Sequence, residues 1–126
     1  MVTVTMTGKF IAEWFDGTSV GQGTELDTPE RQLLWEIYRD APERRYGRNG
    51  SAHVLTFPTS LEGLGALDAL FDYADTGVQM TNDDPEDSGT NAACRVMVER
   101  ALIAVRELEK QLGVEPGTVT LFGIRR

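Results

Sequence analysis

Four acidic side chains stand within five residues at Asp83, Asp84, Glu86 and Asp87, just ahead of Ser88 and Gly89. Carboxylates crowded on a loop are ligands for a hard divalent cation, and the twelve-residue EF-hand loop gives a register to test them against. Counting from Asp84 places Glu86 at position three, Ser88 at five and Gly89 at six, as such a loop requires. Position twelve, where a bidentate glutamate must close the site, is Arg95. A cation there repels the metal. Counting from Asn82 or Asp83 loses the glycine, and the Asp83 register also sets Pro85 on a ligand position. The acids serve better as the polar entrance of a helix, where negative charge and side-chain acceptors meet unpaired backbone N–H groups. As an exposed acidic loop they are also candidate partner-binding residues.

Asp68, Asp72 and Asp75 repeat at i, i+4 and i+7, so one helix face carries all three. Like charges at that spacing oppose helix formation unless something compensates. A solvated face is the ordinary reading. Paired with the 83–87 acids, the same face would suit carboxylate-based, divalent-metal-assisted chemistry. Alone, it would suit a basic partner. The opposite charge gathers at Arg39, Arg44, Arg45 and Arg48, with Tyr46 among them and Asn49 beyond. Guanidinium and aromatic groups together can grip phosphate or single-stranded RNA, or pair with the protein's own acids.

Nucleophilic chemistry finds little support. His53 is the single histidine and shares a strand face with Leu55 and Phe57, which reads as a structural position. Ser51, Ser60 and Ser88 lack the strand-to-helix elbow that exposes a catalytic serine. Cys94 lies near a helix start, but its apolar neighbours point to inert packing. No cofactor is expected.

The elements that must position these groups follow from hydrophobic periodicity. Val2, Val4, Met6, Phe10, Ala12 and Trp14 alternate with polar residues, predicting a half-buried strand over 2–15. The glycine-rich 16–25 loop lacks the spacings that bind phosphate or dinucleotide. Asp27 or Thr28 caps a helix with Pro29 in its first turn, an apolar stripe through Leu33, Leu34, Ile37, Tyr38 and Ala41, and a stop at Pro42. A basic turn over 43–50 leads to a strand at 51–58. Thr59 and Glu62 have capping-box spacing for a helix running to Gly77, with a short strand at 78–80. The last helix spans Asn91–Leu112, and 117–124 alternates as a final strand. The expected fold is α+β, a mostly antiparallel sheet of about four strands with three helices packed on one face, in a single compact domain over 1–126.

On the last helix, Cys94, Ala101 and Leu108 repeat every seven residues, as do Val98, Val105 and Leu112. Val96, Met97, Leu102 and Ile103 add apolar surface beyond that seam. A helix apolar on several sides must be covered on several sides. A homo-oligomer is therefore expected, with Met97, Val98, Leu102, Val105 and Leu108 at its interface.

The whole composition bounds the function. The chain has 126 residues, 40% hydrophobic and 25% charged, as an ordinary soluble domain has, and a net charge of −8. That charge repels nucleic acid and anionic membranes. One cysteine allows no internal disulfide, and the N-terminus carries no secretion-signal pattern, so the cytoplasm is the expected compartment. Ten of the twelve basic residues are arginine, which fits a GC-rich bacterial background. The expected function is a small non-enzymatic protein-interaction factor, of the kind a phage or mobile element encodes. A carboxylate-based enzyme and nucleic-acid binding through the arginine-rich loop 44–48 are the alternatives.

Overall fold

The computed structural model describes residues 1–7, 28–41, 43–45, 51–82 and 88–119. In chain order these form β1 (Val2–Thr7), α1 (Pro29–Asp40), β2 (Glu43–Arg45), β3 (Ser51–Phe57), α2 (Leu61–Thr81) and α3 (Ser88–Leu112). Among the described residues the fold is α+β with three helices, as the periodicity predicts. The sheet corrects the strand count. Among the described residues it has three strands, in the order β1-β3-β2, rather than about four. Six residue pairs join β1 to β3, from Val2↔Phe57 to Thr7↔Ala52, while β2 adds three pairs at the other edge; both pairings are antiparallel. Residues 78–80, read as a strand, belong to α2. Of the expected final strand, 117 and 118 lie in a turn and bend, 119 has no regular structure, and 120–124 are outside the described residues. Residues 8–15 of the expected first strand also lie outside them.

Period two sets the sheet's faces. Val2, Val4, Met6, Leu55 and Phe57 are buried on one side, whereas Thr3, Thr5 and Thr56 are exposed on the other. The buried side meets Leu34 of α1, Leu64, Leu67 and Leu70 of α2, and Met97, Ala101, Val105 and Leu108 of α3 in one cluster. The α2–α3 packing is the most extensive between elements. Residues 63–70 of α2 are buried without a break, so this half of the helix is enclosed on all sides. Gly63 permits that enclosure: a Cβ there would lie 2.1 Å from the Pro58 carbonyl oxygen.

Local chemistry sets most of the helix ends. Thr28 caps α1, its Oγ1 accepting from the Arg31 amide at 3.2 Å with Pro29 in the first turn. At α2 the cap is Ser60, whose Oγ accepts from Gly63 N–H at 3.0 Å, and not Thr59. Gly77 does not end α2, which continues to Thr81. Gly113 ends α3 at φ 72°, with Gly113 N–H bonded to Lys110 O and Val114 N–H to Glu109 O. That pair of bonds is a Schellman motif, which requires the left-handed residue glycine supplies.

Candidate functional site

Among the described residues β1 is an edge of the sheet, and α3 runs beside it. Arg100 Nη1 donates to the Thr5 carbonyl at 2.8 Å, which places that carbonyl on the side away from β3. Backbone groups alternate along a strand, so those of Thr3 face the same way. Between this edge and α3 lies a groove of about 710 Å³. Met1, Thr3 and Thr5 form its strand side; Arg100, Ile103, Ala104 and Glu107 form its helix side. Ile103 is 71% exposed, although Ala101, Ala104 and Val105 beside it on the same helix are buried.

Polar bonds brace one end of the groove as Arg100 braces the other. The Met1 amino group donates to Thr59 Oγ1 at 2.8 Å, and Thr59 donates to Gln111 Oε1 at 3.1 Å. Gln111 Nε2 in turn donates to Glu107 Oε1 at 3.4 Å. Thr59, expected to cap α2, instead ties the start of β1 to the end of α3.

The residues singled out from sequence fall in several places. Asp68 is fully buried in α2, so the expected acidic face does not stand in solvent as a whole. Asp72 and Asp75 are half-buried on the same helix, and Asp75 accepts from Gln79 at 3.0 Å. Asp83, Asp84, Glu86 and Asp87 lie outside the described residues, as does Arg48. Arg44 and Arg45 form β2 opposite Ala52 and Ser51. Arg39 pairs with Asp40 at 3.2 Å; that hydrogen bond, then the carboxylate's charge, raises its already high pKa. Among the expected interface residues, Met97, Val105 and Leu108 are buried within the chain's own core, and Val98 and Leu102 are half-buried. Cys94 is in that core, and His53 meets the Tyr38 ring at a tilt of 38°, with ring centres 5.5 Å apart. Among the described residues no three His, Cys, Asp or Glu side chains converge as metal ligands, and no helix is long and apolar enough to cross a membrane.

Arg95, the residue that breaks the calcium register, has a definite task. It donates to Asn82 Oδ1 and Asn91 Oδ1, each at 2.8 Å. Asn91 donates to the Val78 carbonyl at 3.1 Å and to Thr81 Oγ1 at 2.9 Å. This amide cluster locks the end of α2 to the start of α3.

Ile103 stands out in the sequence as surplus apolar surface, whereas Arg100 and Glu107 beside it do not. Their signal was the spacing 100, 103, 104, 107, which places a cation and an anion at either end of one helix stripe. No protein-family model matches this chain, and comparison with curated proteins and with solved structures finds no match.

Proposed function

We propose that this chain is a small, non-enzymatic protein-interaction factor, a single compact domain over 1–126 that works through contacts in the β1–α3 groove. The observation that carries the reading is an outward-turned strand backbone running beside the exposed Ile103. Main-chain groups of that kind bond an added strand, and an isoleucine beside them supplies the apolar area that drives association. Asp72 and Asp75, the 83–87 acids, and Arg44, Arg45 and Arg48 are further contact residues under this proposal. Homo-oligomer formation belongs to it too. Arginine-for-lysine usage fits a GC-rich bacterial background and the single cysteine fits a cytoplasmic setting, and a phage- or mobile-element-encoded accessory is the concrete form of the proposal.

The test is site-directed photocrosslinking of the full chain in a bacterial host. Benzoylphenylalanine in place of Ile103 is expected to yield a discrete adduct, while the same residue at the exposed Thr76, outside the groove, yields none. Absent or indiscriminate adducts at both positions would reject the contact reading.

A further inference from the structure

We infer that the groove receives a second copy of this chain, related by a two-fold axis that pairs β1 antiparallel with its own symmetry mate. The inference rests on the groove being a contact surface and names what fills it. A two-fold interface must be self-complementary, each residue meeting its counterpart's partner. Both sides of the groove satisfy that condition independently.

On the strand side, β1 reads VTVTMT. It has no charge and no proline, the devices that usually block an exposed edge. Antiparallel pairing centred on Val4 sets Thr3 of one copy opposite Thr5 of the other, twice. Thr3 and Thr5 are the residues whose backbone faces outward, so the pairing uses edge groups that no described strand occupies and leaves the β1–β3 ladder intact. The Thr5 carbonyl has a second lone pair beside the one Arg100 occupies. Threonines directly opposed across strands are a favourable pair.

On the helix side, Arg100, Ile103, Ala104 and Glu107 form one stripe whose centre lies between Ile103 and Ala104. A two-fold through that centre brings Arg100 of each copy to Glu107 of the other and sets the two Ile103 side chains together, with Ala104 permitting close approach. The two centres fall within about half a strand residue of each other. From Arg100, beside Thr5, seven helical residues advance about 10 Å to Glu107. Three strand residues, from Thr5 to Val2, cover about the same distance. The midpoint of the helix stripe therefore falls beside Thr3 and Val4. One axis serves both elements, and the Arg100 and Glu107 charges balance within the helix contact on a chain of net charge −8.

The experiment measures molar mass by size exclusion with light scattering on the full chain. Wild type is expected at twice 13.9 kDa. Arg100→Glu and Glu107→Arg each place like charges at both symmetry-related contacts, and each weakens self-association about tenfold or more. Mixed in equal amounts, the two variants present opposite charges at both contacts and regain the doubled mass as a heterodimer. Ile103→Glu, at an exposed position that leaves the core untouched, is expected to run as the single chain. A wild type of single mass at all concentrations overturns the inference, as does a dimer indifferent to these substitutions or a mixture that fails to recombine. In the crosslinking experiment, an adduct of Ile103 with a different protein beside a single-mass wild type would remove the second copy and leave the contact function standing.

Discussion

Between Glu107 and Gln111 the chain reads ELEKQ, with nothing to mark one glutamate from the other. Folding separates them: Glu107 stays in water, while Glu109 is 2% exposed. The buried carboxylate accepts from Arg106 Nη1 through one oxygen and from the Gly117 amide through the other, both at 2.5 Å. With both oxygens engaged, a charge that would be prohibitive alone is tolerated. Glu109→Ala leaves the Gly117 amide without its acceptor and releases the turn after α3. The expected cost is about 2 kcal/mol, seen as a lower urea midpoint at unchanged slope. Glu109→Gln keeps an acceptor for the amide and costs less; equal losses would assign the stabilisation to Arg106 instead. Sequence does not reveal this site because the partner of Glu109 is a main-chain group in the following turn. Asp68 misleads for a related reason. Its spacing with Asp72 and Asp75 does define one stripe of a helix, but burial depends on what packs there, and α1, α3 and β3 all pack against α2.

Helix boundaries divide along the same line. Thr28 with Pro29, and Gly113, mark their ends correctly because the cap and the left-handed turn are made within a few residues. Gly77 is a stop signal that tertiary contact overrides. It is buried, its carbonyl accepts from Thr81 Oγ1 at 2.7 Å, and Asn91 of α3 holds Thr81 and the Val78 carbonyl. The last turn of α2 therefore depends on α3. Asn91→Ala is expected to raise amide-exchange rates across 78–82 while those of 63–70 keep their protection, at a cost of about 1 kcal/mol. Uniform acceleration along α2 would show that the amide cluster supports the whole fold rather than this end. The strands follow suit. Alternation in VTVTMT and SAHVLTF is strong enough to be read directly, whereas β2 is three charged residues, ERR, made a strand by pairing with β3. No pattern in so short a segment could announce it.

For the molecule as a unit, the proposed dimer sets two electrostatic effects against each other, and their magnitudes decide the response to salt. Each chain carries eight net negative charges. In the dimer the chain centres are roughly 25 Å apart, about twice the radius of gyration of a chain this long. Treated as charges at those centres in water, the copies repel by roughly 5 kcal/mol at 0.01 M salt, where the Debye length is about 30 Å. At 0.15 M the Debye length is about 8 Å and the repulsion falls below about 1 kcal/mol. Salt also weakens the two Arg100–Glu107 contacts, but exposed pairs of this kind contribute only about 0.5 kcal/mol each. The long-range term changes more. Self-association is therefore expected to strengthen between 0.01 and 0.15 M sodium chloride, measured as a falling dimer dissociation constant in sedimentation equilibrium. Glu107→Gln takes one charge from each copy and should flatten that salt dependence slightly. A dissociation constant that rises with salt instead would mean that the rim pairs, not the net charge, govern the assembly.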